Sequence, residues 1–299
     1  MAALFCYPSN CRNISLRSGE DGGFAEPIMM LRTIIFSDLD GTLLDSRTYS
    51  FDPARPALEA IASARIPLVF CTSKTRTETE RWRLMLKNDH PFIVENGGAV
   101  FVPEGYFGTD AGFDKQDGGY GILEFGRPYP ELRQALEGIR ISTGLPLRGF
   151  GDMTVDEIAE RCGFTREKAA LAAIREYDEP FIGVEEGMLP RVVQEAGARG
   201  FQVISGGRFH HLVGGSDKGR AVRALRSLYE LSRGHVSTVG LGDSANDESM
   251  LRAVDIPILV LKPDGSCLKA IDLPGLMIAP YSGPEGWREV VLMLLRQGP

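Results

Sequence analysis

The stretch Thr33-Ile34-Ile35-Phe36-Ser37-Asp38-Leu39-Asp40-Gly41-Thr42 decides the fold. An apolar run over 33–37 reads as a buried strand, and two carboxylates spaced i, i+2 leave its carboxyl end. On a continued pleat that spacing puts both acids on one side. Two like charges held this close need a cation between them or a proton on one of them, and both arrangements serve phosphoryl transfer. Gly41 lets the backbone turn tightly beside a ligand. Alone, the motif also fits an Asx-rich turn closing a β-α connection. Its meaning depends on what the later strands bring.

Outward from this stretch, short apolar runs alternate with helical periodicity, the pattern of a parallel α/β sheet. Strands are expected at 33–37, 67–71 and 92–94, with helices at about 54–64 and 77–86. Between about 103 and 120 the glycines 105, 108, 112, 118, 119 and 121 crowd a polar stretch, which reads as a boundary or long loop. A second α/β region follows, with a strand at 122–125 and helices near 130–141, 154–161 and 165–176. It continues with a strand at 181–184, a helix near 188–198, and paired strands at 201–204 and 209–213. After Gly214-Gly215 the first pattern resumes, with a helix at about 217–231, a strand at 236–241 and a buried run at 258–261. The expected division is an extension at 1–30, core at 31–104, inserted domain at 105–213, and core again at 214–299, the glycines at either end of the insertion serving as hinges. Ligands of such sheets bind beyond the carboxyl ends of the strands.

With 299 residues, 43% hydrophobic and 24% charged, the chain is long enough for two cores of its own. Its net charge of -7 argues against nucleic acid or an anionic membrane as partner, since both favour a basic face. Five cysteines without a CxxC pair speak against a disulfide framework and a zinc site, and a reducing cytoplasm is the expected setting. No apolar stretch approaches the roughly 18 residues of a membrane span. Residues 1–30 are rich in turn formers and lack both a cationic n-region and an apolar h-region. A poorly ordered extension is expected there, and Met29 and Met30, just before the first strand, leave a downstream start open.

Four further stretches at strand ends carry candidate chemistry. In Cys71-Thr72-Ser73-Lys74, Thr72 offers a hydroxyl and an amide to a phosphate oxygen, though taken alone the stretch reads first as a helix N-cap. Lys218 falls in the first turn of its helix, where the dipole disfavours a cation, so it is either functional or a solvated surface lysine. Gly240-x-Gly242-x-x-Ala245 matches a dinucleotide-binding turn in form, with Asp264 about twenty residues on. Asp243 would then stand where a pyrophosphate must approach; a carboxylate there repels phosphate and suits a hard cation. Asp247, four residues later, faces the same way on a nascent helix or is simply a first-turn acid. In Glu95-Asn96-Gly97-Gly98, successive glycine amides form either an anion-binding nest or a hairpin turn. His210 and His211 point to opposite strand faces, so at most one lines a site, and either also reads as packing.

Two acids, a hydroxyl, a lysine after an insertion and an acid cluster, in that order, closely resemble the haloacid dehalogenase superfamily, in particular its Cof-like, type IIB phosphatases. That resemblance covers about 31–297. It implies a Rossmann-like parallel-sheet core with an inserted α/β cap of the C2 type. It implies Asp38 as nucleophile, Asp40 as acid-base with a proton affinity raised by nearby carboxylates, and Thr72 and Lys218 as partners of the phosphoryl oxygens. Mg²⁺ would be held by Asp38, the Asp40 carbonyl and Asp243, with Asp247 as orienter or additional ligand. Phe70–Thr75, Glu95–Gly98, the cap run from Phe150 through Tyr177, and Arg208–Leu212 before Asp217-Lys218-Gly219 are similar to the mannosyl-3-phosphoglycerate branch of these phosphatases. A substrate of that kind carries a carboxylate besides its phosphate. Lys74 and the Asn96, Gly97 and Gly98 amides on the core, with Arg148, Arg208 and His211 on the cap, are the expected contacts. Three other readings stand beside it: a phosphatase of glucosyl-3-phosphoglycerate or a hexose phosphate, a phosphomannomutase, and an inactive sugar-phosphate-binding module.

Overall fold

The computed structural model describes residues 32–108, 112–206, 209–267 and 272–297; the expected extension at 1–30 lies outside them. Along the chain come β1 (Thr33–Ser37), α1 (Arg55–Ser63), β2 (Leu68–Cys71), α2 (Arg76–Leu86), β3 (Phe92–Val94) and β4 (Ala99–Pro103). They are followed by β5 (Lys115–Asp117), β6 (Tyr120–Glu124), α3 (Tyr129–Thr143), β7 (Arg148–Gly149), α4 (Val155–Cys162) and α5 (Arg166–Ala172). Next are β8 (Asp178–Ile182), α6 (Leu189–Ala198), β9 (Gln202–Gly206), β10 (Phe209–Val213) and α7 (Lys218–Arg233). The chain closes with β11 (Ser237–Gly242), α8 (Glu248–Leu251), β12 (Ile256–Leu261), β13 (Met277–Ser282) and α9 (Gly283–Gln297).

Among the described residues nine strands form the larger sheet, in the order β13-β12-β11-β1-β2-β3-β4-β6-β5. From β13 to β3 the pairs are parallel, and the last three strands run antiparallel. β1 is buried on both faces, which is why it reads as an unbroken apolar run rather than an alternation. Ile35 packs with α1 and α9 through Ile61, Trp287 and Val291, while Ile34 and Phe36 pack with α7 through Val222, Leu225 and Tyr229. Chain order leaves β1 in opposite directions, to β2 on one side and to β11 on the other, so a crevice opens at their carboxyl ends. Every strand-end motif except that after β3 borders this switch directly.

Two expectations change. The glycine-rich stretch before 121 is not the start of the inserted unit, because β5 and β6 form a hairpin hydrogen-bonded to β4 in the large sheet. Its glycines serve geometry rather than hinging: Gly118 and Gly119 turn the hairpin at φ 58° and 82°, and a side chain on Gly121 would run into the Phe113 ring. β13 and α9 carry little sequence signal, since Pro280 interrupts the first; as an edge strand β13 tolerates a missing donor.

The chain leaves this sheet at 125–128 and returns at 214–217, two segments tied by Arg127 N–H donating to Gly214 O at 2.8 Å. Between them an antiparallel sheet, β7-β8-β10-β9, packs on α3 and α6 through Leu136, Ile139, Phe181, Val192 and Leu212. α4 and α5 form a second small cluster with Phe150 and Ile158. The protein is therefore α/β, with a parallel-dominated sheet and an inserted α/β unit. Trp287 closes the sheet beneath β1, fully buried and donating Nε1–H to Ser37 Oγ at 3.0 Å. Replacing Trp287 by Ala is expected to cost about 3–5 kcal/mol, read by chemical denaturation.

Candidate active site

β1 ends at Ser37, and Asp38 follows with its amide on Leu241 O of β11 at 2.9 Å. The turn, not a continued pleat, places the two acids. Gly41 makes it at φ 81°, and a Cβ there would lie 2.8 Å from Asp243 Oδ2. Lys218, 1% exposed at the first position of α7, donates Nζ–H to Asp38 Oδ1 at 2.9 Å and to Asp247 Oδ1 at 2.7 Å. Burial works against its charge, yet Asp247 and then Asp38 hold the ammonium above its usual range. These carboxylates also offset the helix dipole, and Lys218 is not the solvated surface lysine that was the alternative reading.

Asp38, Asp243 and Asp247 present oxygens within 4.8 Å of one another. Burial pushes Asp38 well above the usual carboxylate range against the pull of Lys218, with Asp247, Asp243 and Asp40 adding to the rise. Burial and Asp247 push Asp243 up to about 7. Lys218, with Lys262 acting on Asp243 alone, thus faces three crowded acids, a donor set that suits a hard divalent cation. Asp247 Oδ2 further accepts the amides of Asp243 and Ser244, both at 3.1 Å, and Thr42 Oγ1–H reaches Asp243 Oδ1 at 3.4 Å. The dinucleotide reading fails here: the space beside Gly242 is filled by Asp247, whose Cβ would be 2.4 Å from an added side chain, and Asp264 is bound to Ser266 in an exposed turn.

Asp40 lies at the rim, and its nearest charged partner is a cation, not the carboxylates expected to crowd it. Lys74 Nζ donates to Asp40 Oδ2 at 2.6 Å, while Asp40 Oδ1 is buried with no hydrogen-bond partner among the described residues. Burial opposes the charge of Lys74, but Asp40 and Glu78 hold it above the usual range. Lys74, expected as an anion contact, is therefore committed to Asp40. Thr72 is fully buried; its amide, expected to face phosphate, donates to Ile93 O at 3.1 Å, and its hydroxyl accepts Lys74 N–H at 3.2 Å.

The Asn96–Gly98 amides do not form an exposed nest. Asn96 N–H donates to Thr72 O at 3.0 Å and Gly98 N–H to Val94 O at 2.9 Å, while an added Cβ on Gly97 would lie 2.3 Å from the Asp217 carbonyl carbon. Glu95 and Asn96 sit at φ 47° and 58°, unusual for side-chain-bearing residues, so this loop is held strained against the helix that carries Lys218. The Asn96 side chain does have partners: Nδ2–H donates to Asp178 Oδ2 at 2.7 Å and Oδ1 accepts from Asn246 Nδ2 at 3.0 Å. His211 is also buried, its Nδ1 2.9 Å from both Asp178 oxygens, while His210 meets Ser205 on the other strand face. Arg148 is bound within the inserted unit to Glu157 at 2.8 Å, and Arg208 lies outside the described residues.

Glu95 and Arg175 enter the sequence reading only inside longer stretches, without a role of their own, and Asp178 does not enter it. Glu95 accepts the amides of Glu176 and Tyr177, Arg175 donates to Ser73 O at 2.8 Å, and Asp178 gathers Asn96 and His211. An acidic pair opening a strand, Asp178-Glu179, was the available signal. Burial pushes Glu95 up to about 8, with Arg175 opposing.

A family profile described as haloacid dehalogenase-like hydrolase matches residues 35–117. A curated relative from Methanococcoides burtonii, named glucosyl-3-phosphoglycerate/mannosyl-3-phosphoglycerate phosphatase, is 44% identical over 89% of this chain and 98% of its own. The mannosyl-3-phosphoglycerate phosphatase of Pyrococcus horikoshii is 36% identical over 76% of this chain and 90% of its own. Among solved structures, a sugar phosphatase of haloacid dehalogenase subclass IIB superposes with a TM-score of 0.59 at 17% identity, covering 89% of this chain and 99% of its own, a likeness of fold.

Glu95 carries a sign that can be checked. Its folded affinity for a proton, near 8 against a usual 4.5, makes the wild-type protein lose stability as pH rises through that window. Glu95→Gln has no proton to release, so its stability relative to wild type is expected to improve from pH 5 to pH 8.5 in paired denaturant titrations, by roughly 1–3 kcal/mol.

Proposed function

Because the chain belongs to the haloacid dehalogenase-like hydrolase family and is a phosphoric monoester hydrolase, we propose that it releases phosphate from mannosyl-3-phosphoglycerate and its glucosyl counterpart, leaving the glycosylglycerate. The geometry that carries the chemistry is Asp38 fixed by Lys218, beside Asp40 with one oxygen bound to Lys74 and the other unpartnered. The relatives' names carry the choice of substrate.

Asp38 attacks phosphorus in line, and the P–O bond to the glycerate oxygen breaks. Asp40 gives that oxygen its proton, then takes a proton from the water that attacks the aspartyl-phosphate. Inorganic phosphate leaves and Asp38 is restored. Lys74, bound to one Asp40 oxygen, orients the carboxyl so that its unpartnered oxygen handles the proton. Lys218 balances phosphoryl charge; about 4 Å from a unit charge at an effective dielectric near 20, a lysine contributes about 4 kcal/mol in gross terms. That is small beside a barrier reduction of up to roughly 29 kcal/mol for phosphomonoester hydrolysis, so positioning and electrostatics must act together. The Asp38, Asp243 and Asp247 carboxylates, with the Asp40 carbonyl, fit Mg²⁺, which when bound would neutralise phosphoryl oxygens.

Two measurements test this reading. Phosphate release is screened over glycosyl-3-phosphoglycerates and hexose phosphates, with Mg²⁺ and with chelator; the phosphoglycerates are expected to turn over fastest and chelation to abolish release. Recovery of an isomerised sugar phosphate instead of free phosphate would favour a mutase. Asp38→Asn is expected to lower phosphate release by at least about 10³-fold with an unchanged melting curve, and near-normal turnover in it would sink the covalent route.

A further inference from the structure

Asp178 opens β8 in the inserted unit, is fully buried, and takes no part in the chemistry above. Its carboxylate gathers His211 Nδ1 at 2.9 Å on its own sheet, Asn96 Nδ2 at 2.7 Å on the core, and Arg175 at 4.0 Å. Burial works against that carboxylate, but His211 first and then Arg175 and Asn96 hold it ionised. From Asn96 the contacts run on without a break. Asn246 Nδ2–H donates to Asn96 Oδ1 at 3.0 Å, Ser244 Oγ–H to Asn246 Oδ1 at 2.6 Å, and Ser244 N–H to Asp247 Oδ2 at 3.1 Å. Asp247 then holds Lys218, which holds Asp38.

We propose that Asp178 is a positioning residue, a cap-borne latch whose bond to Asn96 closes the inserted unit on the core over the bulky part of the substrate. Glu95 with the Glu176 and Tyr177 amides, and Arg175 with Ser73 O, are buried links that flank the Asp178–Asn96 bond, whereas Arg81 with Glu167 is an exposed ion pair that water replaces at little cost. Asp178 differs, because separating it from Asn96 leaves a buried ionised group short of a donor. The same loop carries a second link: Gly97 packs on the Asp217 backbone, one residue before Lys218. The latch deepens the reaction proposed above and rests on that reading for its sugar substrate. A small aryl phosphate, which fits the core without a closed cap, separates the two.

The test is an exchange of partners. Asn96→Asp sets one carboxylate against another across the 2.7 Å contact. In N96D/D178N the amide and the carboxylate have changed places, and every hydrogen bond of the pair is again available, including those from His211 and Asn246. Asn96→Asp is expected to lower kcat on the sugar phosphate by about 10–100-fold, and on p-nitrophenyl phosphate by under about 5-fold, with the double variant within about 3-fold of wild type. Equal losses on both substrates, or a double variant no better than the single one, would overturn the latch. If Asn96→Asp does not fold, Asn246→Ala is read on the same two substrates: a selective loss supports the latch and an equal loss overturns it. Each assay uses the bulky sugar phosphate that wild type hydrolyses best. Failure of both phosphoglycerates would therefore overturn the substrate reading and leave the latch to its own result.

Discussion

A lysine ammonium buried between two carboxylates organises this molecule. Lys218 at 1% exposure would be untenable without Asp38 and Asp247, and those acids in turn are crowded by Asp243. Burying such charges is favourable only when geometry satisfies nearly every donor and acceptor. Each member arrives from a different place in the chain: β1, the start of α7, and the turn after β11. The doubly covered parallel sheet is what brings these termini to one crevice and holds them there. Stability alone does not explain the arrangement, since hydrophobic replacements of similar volume often match a buried ion cluster. A divalent cation held by Asp38, Asp243 and Asp247 would account for the excess of acid over base at this point.

Around that centre, the second lysine has a different task. Lys74 is bound to Asp40, buried beneath Tyr49 and Phe164, with its ammonium 5.2 and 6.0 Å from their ring centres. The two aspartates of the opening motif are thus separated chemically by their cations. Asp38 faces one that the acids behind it share, and Asp40 faces one that leaves an oxygen free. Burial first and crowding by like charge second raise Asp38 and Asp243, and Asp40 is one of the carboxylates that contribute to both.

Much of the core was legible because parallel strands buried on both faces leave continuous apolar runs with motifs at their ends, as at 33–42 and 236–247. Lys218 was legible for a local reason: it violates the helix dipole, and such violations need a tertiary cause. What escaped was tertiary by nature. Whether the amides of Asn96 and Gly98 face a ligand or a carbonyl depends on Thr72 and Val94, which spacing does not reveal. Arg148 reads as a free cation until Glu157 is folded beside it. The hairpin at 115–124 was hidden because its glycines look alike whether they hinge, turn or make room for Phe113. Asp178 looks like any acid before a strand, and its partners come from 82 residues upstream and 33 downstream.

The pairing of β1 with β11 joins Thr33 to Ser237, so the central ladder of the core closes only after the whole inserted unit has been made. Contacts of such sequence separation form slowly, because loop closure precedes any reward from packing. During synthesis the inserted unit, with its own apolar cluster around Leu136 and Phe181, emerges entire while β1 still lacks one of its neighbours. Until β11 docks, one edge of β1 stays open to solvent and to other chains, a hazard for a strand this apolar. The acids that need Lys218 come together in the same closing step, so the last stage of folding is also the one that assembles the charge.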